Sequence, residues 1–359
     1  MGVIALWTYL RAQSNSADII IPDQSKPEIP VNLQQPVVED EPVVENTPVH
    51  ENQEPPVSAD TEVIEVATTS SVAEAAVSTP TTQPVVGKIT ISFGGPDPCY
   101  DRAIESHNLH NQIHGYPEFV LRERLLSGLW SKHAYILHII TEELAKPEDQ
   151  RLQWVWWFDR DTVITNPLMP LEAFIPPQAD FSHIYLLATN DRHGLNNGVF
   201  MLRVNDWALK LFAHALAFHH FRPDVDLKYT EQSAMEEMLK VPWYKRSTVI
   251  VPQRWFNAYP PPEEQGARLK PNHARPGSLL IHFASNRDGL RPERMGRWMD
   301  VVDQRTERLE VPYNETGYPD EIEEFWARLR AGEDELKVGE DIGKSEWESV
   351  MKEREEKGR

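Results

Sequence analysis

Residues 154–158 read Trp-Val-Trp-Trp-Phe, and this run restricts the fold more than any other feature of the chain. Five apolar residues are too few for a helix and suit a central strand covered on both faces. Lys88 to Phe93 (KITISF) is short, β-branched and bounded by Gly94-Gly95-Pro96, so it predicts a buried strand ending in a loop. Ile184 to Ala188 and Val199 to Val204 predict further strands, and Ser278 to Ala284 (SLLIHFA) a late one. Helical spacing runs through Leu125, Leu129, Ile136 and Ile139–Ile140 and closes before Pro147. Asn205 and Asp206 can cap a helix through Trp207, Leu211 and Leu216, and Thr230 to Lys240 predicts another. Strands alternating with helices imply an α/β fold whose mostly parallel central sheet is flanked by helices. Ligands of such sheets lie beyond the carboxyl ends of the strands, which directs attention to the residues that follow each strand.

Composition divides the chain. Residues 17–87 contain no Phe, Tyr, Trp or Arg, hold ten prolines, and carry −12 of the net −20. Such a segment buries too little apolar surface to offset the entropy of ordering it, so it reads as a disordered, acidic, Pro-rich stalk. Residues 88–312 read as a globular domain able to support one large core, and 313–359 as a charged helical tail. An acidic balance without basic runs excludes nucleic acid as a partner held through its phosphates. The single cysteine, Cys99, excludes an internal disulfide framework and a zinc site of paired cysteines. Within residues 1–16, Gly2 to Leu10 is apolar but well short of the ~20 residues that span a bilayer. It reads either as a frayed start or as the remnant of a membrane anchor.

Asp159-Arg160-Asp161 directly follows the apolar run. Two carboxylates on alternate residues leaving a buried strand can share a hard divalent cation. Asp224-Val225-Asp226 repeats the pattern but follows Pro223 in a polar loop with no strand before it, and reads as solvated. His282, at the end of SLLIHFA, is placed to complete a metal shell; its plainer reading is a hydrogen-bonded core histidine. Arg287, five residues on, can reach a phosphate oxygen, or is a surface cation. His107, His110 and His114 share one helical face, yet no acidic residue falls at matching spacing, so they read as structural rather than as a zinc site.

Trp130-Ser131-Lys132, then WVWWFDRDTVITNP, GLNNGVFMLR, EQSAM and HFA, in this order from Lys88 to Trp298, resemble glycosyltransferase family 34. This family holds fungal galactosyl- and mannosyltransferases and plant xyloglucan xylosyltransferases. The resemblance implies a GT-A type nucleotide-sugar-binding fold, a retaining Mn²⁺-dependent hexosyltransferase, and a type II Golgi membrane protein with a lumenal catalytic domain. Carried over by residue, Asp159, Asp161 and His282 would hold Mn²⁺. Lys132, Asp159, Arg287 and Asn197 would bind the donor, Gln232 and Glu231 would serve catalysis, and Asp191 and Asn196 would meet the acceptor. Arg192 and His193 replace a Trp and an Asn of the family's loop, Glu231 replaces an Asp, and Ser285-Asn286 replace Gly-Cys. The metal set is therefore kept while the acceptor side is altered. The implied partners are UDP-galactose as donor, a glycan such as mannan or an N- or O-linked glycan as acceptor, and association with itself or with other Golgi transferases. The alternatives are transfer of α-1,6-mannose from GDP-mannose and an inactive subunit of a Golgi transferase complex. Two-carboxylate glycoside hydrolysis would leave the Asp-x-Asp and the late histidine without a role.

Overall fold

The strand predicted from the tryptophan run lies third in a six-stranded sheet, and both its faces are covered. The computed structural model describes residues 85–262, 269–344 and 348; the apolar start and all but the last residues of the acidic stretch lie outside them. Eight strands are assigned: β1 (Val86–Ile91), β2 (Glu118–Leu121), β3 (Trp154–Phe158), β4 (Thr162–Ile164), β5 (Leu186–Asp191), β6 (Gly194–Arg203), β7 (Thr248–Ile250) and β8 (Leu280–His282). The main sheet has the order β2-β1-β3-β6-β5-β7, and β4 pairs with β8 in a separate ladder. The β1–β2, β1–β3 and β5–β7 pairs are parallel, while β6 runs antiparallel to both its neighbours. The α/β class with a mostly parallel sheet is thus as expected. The late strand is corrected: it joins β4 rather than the main sheet.

The alternation of β3 explains its composition. Trp154, Trp156 and Phe158 enter one core cluster with Val199, Met201, Phe174 and Trp255. Val155 and Trp157 enter the opposite cluster with Phe200, Leu202, Leu211 and Phe212. Helices α1 (Pro98–His114), α2 (Trp130–Ala145), α3 (Asp206–Phe221), α4 (Glu231–Leu239), α5 (Arg291–Val302) and α6 (Tyr318–Arg330) surround these layers. Asn205 caps α3 by accepting from Ala208 N at 2.9 Å, as the sequence suggested. The helix predicted from Leu125 starts only at Trp130. Leu125 and Leu129 are exposed in the preceding loop, so their spacing was coincidental.

Two boundaries move. The first strand begins at Val86, which is fully buried, so the folded domain starts before residue 88. At the other end, Tyr318, Ile322, Phe325, Trp326, Val338 and Ile342 belong to the first core cluster. Most charged side chains of 313–344 lie at the surface, but Glu321 is buried and this stretch packs as part of the domain rather than as a tail beyond residue 312.

Candidate active site

Strand register assembles the site. The β4–β8 ladder sets Thr162 opposite His282, and Phe283 N donates to Asp161 O at 2.9 Å, which brings the Asp-x-Asp turn against the late histidine. The reversed strand β6 sets Val199 opposite Phe158, and Asp159 N donates to Gly198 O at 2.7 Å. Its first residues, Asn196 to Gly198, therefore lie at the carboxyl end of β3. A Cβ on Gly198 would overlap His282 Cε1, so a glycine there lets the imidazole pack flat against the strand.

One ligand atom each from Asp159, Asp161 and His282 lies within 4.8 Å of the others. Among the described residues this is the one such metal-competent group; Asp224 instead pairs with Arg222 at the surface, at 3.0 Å. Asp161 is 6% exposed. Burial alone would raise its carboxyl, but His282 and Arg291 facing it hold it below the ordinary carboxylate range. Asp159 remains partly exposed, and its Oδ1 accepts from Trp157 Nε1 at 2.9 Å and from Lys132 Nζ at 3.1 Å.

The imidazole's protonated nitrogen follows from its neighbours. Asn196 Oδ1 accepts from the backbone N–H of Gly198 at 3.0 Å, which fixes that amide's orientation. Asn257 Nδ2 donates to the same oxygen at 3.1 Å and to Thr189 Oγ1 at 2.7 Å. Asn257 Oδ1 therefore faces His282 Nδ1 at 2.6 Å and must accept its proton. Nε2 is left as the coordinating nitrogen, 3.4 Å from Asp161 Oδ1. A positive charge, proton or divalent cation, belongs between Nε2 and the Asp161 carboxylate, so the donor set fits a divalent metal. Asn257→Ala is expected to weaken Mn²⁺ binding about 10–100-fold, as for loss of other groups that orient a metal ligand. Titration of the metal-free variant with Mn²⁺, followed by electron paramagnetic resonance of the free ion, measures this; unchanged affinity would mean the imidazole needs no such support.

Beside the cluster, Lys132 Nζ donates to Asn197 O at 2.5 Å and Asn197 Oδ1 at 3.0 Å, and lies 4.8 Å from the Trp157 ring centroid. Asn197 N donates to Gln232 Oε1 at 3.2 Å, which joins two predicted site residues. Asn197 Nδ2 is buried with no hydrogen-bond partner, a donor available to a bound hydroxyl. Glu231 is buried; burial pushes its carboxyl up, nearby Lys132 opposes this, and Asp159 adds to it. Thr230 Oγ1 donates to Glu231 Oε2 at 2.6 Å, and Thr230 holds φ at +48°, a strained conformation for a β-branched residue.

The acceptor-side residues are linked to one another. Asn196 is 5% exposed, and its amide is committed internally. Besides the bonds above, Nδ2 donates to Asp191 Oδ2 and Tyr259 Oη, each at 3.0 Å. These bonds tie it to Asp191, the other residue of the predicted acceptor side. Tyr259 Oη also donates to Asp191 Oδ2 at 2.7 Å, while Arg192 and His193 are exposed at the hairpin turn. Arg287 is exposed in its loop and makes no contact with the cluster; Arg291 Nη1 instead reaches Asp161 Oδ2 at 2.9 Å. Asn257, Tyr259 and Arg291 were not singled out in the sequence. The trio on α1 is structural, as read. His107 lies between Lys88 Nζ and Thr162 Oγ1, each 3.3 Å away. His110 and His114 donate to Met169 O at 2.8 Å and Pro167 O at 2.9 Å.

Comparisons agree with the motifs. Residues 172–287 match the galactosyl transferase GMA12/MNN10 family. A Schizosaccharomyces pombe protein named uncharacterized alpha-1,2-galactosyltransferase C637.06 is 25% identical over 218 residues, 50% of this chain and 61% of that protein. A Saccharomyces cerevisiae protein named probable alpha-1,6-mannosyltransferase MNN10 is 26% identical over 137 residues, 30% of this chain and 34% of that protein. The chain thus spans less than two thirds of the length of either relative. Among solved structures, a glycosyltransferase involved in glycosylation of the major capsid of PBCV-1 aligns over 59% of this chain and 99% of its own. That alignment has a TM-score of 0.43 at 17% identity. The galactosyltransferase LgtC, in complex with donor and acceptor sugar analogs, aligns over 60% and 95%, with a TM-score of 0.38 at 13% identity. The ordered motifs and the family match agree: this α/β chain is similar to glycosyltransferase family 34, with the match falling on residues 172–287.

Proposed function

We propose that the chain is a retaining, Mn²⁺-dependent glycosyltransferase that moves galactose from UDP-galactose onto a glycan acceptor such as mannan or an N- or O-linked glycan. The observation that carries this reading is the Asp159–Asp161–His282 cluster, with the imidazole Nε2 aimed at Asp161. Asp159, Asp161 and His282 would hold Mn²⁺, which would supply positive charge to the diphosphate as it leaves. Lys132, braced by Asn197 and Asp159, adds a fixed ammonium beside that position, and Arg287 can approach from its exposed loop. Asn197 Nδ2 offers a hydrogen bond to a hydroxyl of the donor sugar. The acceptor hydroxyl oxygen bonds to the anomeric carbon from the face the diphosphate leaves, and its proton passes to the departing phosphate oxygen. Gln232 stabilises the oxocarbenium-like sugar, and the buried Glu231 carboxylate orients it or acts as a nucleophile. Asp191, set by Tyr259 and Asn196, lines the acceptor side. The reading extends to a lumenal position on the Golgi membrane. Among the described residues no helix is long and apolar enough to cross a membrane.

GDP-mannose is the second donor, favoured by the similarity to a protein named as an α-1,6-mannosyltransferase. Purified protein offered UDP-galactose, UDP-glucose and GDP-mannose, each with Mn²⁺ or with a chelator, is expected to consume UDP-galactose only with the metal. The product is expected to keep the α configuration by NMR. Consumption of GDP-mannose alone would move the assignment to the second donor. No turnover of any nucleotide sugar by folded protein would leave the inactive-subunit reading.

A further inference from the structure

Arg291 occupies an unusual place for a residue that no motif marks. Its Nη1 lies 2.9 Å from Asp161 Oδ2, and its side chain is 19% exposed. The same nitrogen donates to Tyr100 Oη at 3.3 Å, and Nε is buried with no hydrogen-bond partner. The residue opens α5, and its backbone N–H donates to Asn286 Oδ1 at 2.9 Å, so its main chain is anchored while the guanidinium reaches back to the carboxylate. On the other side of Tyr100, Arg160 sits 4.0 Å from the ring centroid and donates to Phe93 O at 3.3 Å. Tyr100 thus touches both guanidiniums. Lys132 and Arg291 each set a positive charge on one carboxylate of the Asp-x-Asp, charges available to an anion once the carboxylates are neutralised otherwise.

The carboxylate that Arg291 holds is one of the three groups assigned above to the metal. Arg291 holds Oδ2 while the imidazole faces Oδ1, so guanidinium and divalent cation compete for one buried charge, each weakening the hold of the other. We infer that Arg291 serves as a resident counter-ion to Asp161 in the metal-free protein and, once released by the metal, becomes the bidentate partner of the nucleoside diphosphate. The inference rests on the metal reading proposed above and adds a residue and an order of events to it. Once released, Nη1 forms with Nη2 the planar end-on fork that matches phosphate oxygens, and the unpartnered Nε offers a further donor on the adjoining edge. Metal and nucleotide would then bind with positive coupling, since each favours the state in which Arg291 has left the carboxylate.

The distinguishing prediction is one of opposite signs. In Arg291→Ala the affinity for Mn²⁺ alone should rise several-fold, because a competing cation is gone. Affinity for UDP at saturating Mn²⁺ should fall about 10-fold or more, as for loss of a charged hydrogen-bonding partner. Arg291→Lys should move both quantities the same way by less, since a point charge still neutralises Asp161 but lacks the fork. Arg222→Ala, which removes an equal charge from the surface pair with Asp224, should change neither. Mn²⁺ is measured by the resonance of the free ion and UDP by calorimetry, with His282→Ala run alongside and metal-free melting used to confirm that each variant is folded. If His282→Ala loses Mn²⁺ binding but Arg291→Ala and Arg291→Lys leave both affinities unchanged, or shift them in one direction, the inference is overturned and the metal reading stands. If the wild type binds no Mn²⁺, or His282→Ala binds it normally, both are overturned.

Discussion

Asp161→Asn is expected to reduce Mn²⁺-dependent turnover on the order of 10³-fold, corresponding to about 4 kcal/mol of lost charge stabilisation in the transition state. Asp161 supplies one of three converging ligand atoms, and an amide oxygen carries no charge to hold a divalent cation. Read from sequence, a carboxylate just past a strand would be dispensable for stability. The structure buries it against His282 and Arg291, so the substitution should also cost the metal-free protein about 1–3 kcal/mol, less than a fully buried pair because Arg291 can turn to water. Asp226→Asn, in the repeat of the same motif, should leave turnover unchanged and stability within about 0.5 kcal/mol. Rates with saturating donor and thermal unfolding without metal check these values. Equal losses in both variants, or in neither, would show that the wrong copy of Asp-x-Asp was chosen.

The second large effect concerns the C-terminal segment. A chain ending at residue 312 is expected not to fold. It would lose Tyr318, Ile322, Phe325, Trp326, Val338 and Ile342 from the core, an apolar burial worth on the order of 10 kcal/mol. The whole stability of a domain is only roughly 5–15 kcal/mol. It would also lose Glu321, which accepts from Trp255 Nε1 at 2.7 Å and pairs with Arg254, in the segment that leads to Asn257 and Tyr259. Phe325→Ala, a milder form of the same test, should cost about 3–5 kcal/mol. A truncated chain that remains soluble, with the cooperative unfolding of the full one, would restore the boundary at residue 312.

Legibility in the sequence followed how local each signal was. The tryptophan run disclosed a central strand because its alternation serves both faces at once, and the Asp-x-Asp stood out because it abuts that strand. His282 could be found because it closes an apolar run. Asn257 and Tyr259 could not: they sit in a short irregular stretch after a 3₁₀ turn, where no period marks which polar atoms point inward. Arg291 was hidden for a different reason. Arg287 is the nearer arginine in sequence, and only the turn at the start of α5 reveals which of the two bends back to Asp161. Asn196 was recognised as part of the site, but its bonds with Tyr259 and Asn257 are tertiary and only the folded chain shows them. The placement of 313–344 failed because its charged faces dominate the composition, while its buried positions make sense only against a sheet that lies far upstream.

The ladder of β4 with β8 also has a consequence for how the protein comes into being. Just beyond it, Thr165 donates to Ser278 O across 113 residues of sequence, so the two halves of the ligand cluster are joined by a long closure. Closing so long a loop costs entropy before any contact returns it. A nascent chain that has emerged only as far as β7 already carries the Asp-x-Asp but has nothing to set against it. Competence to hold an ion therefore arrives late in synthesis, with β8 and the helices that follow it.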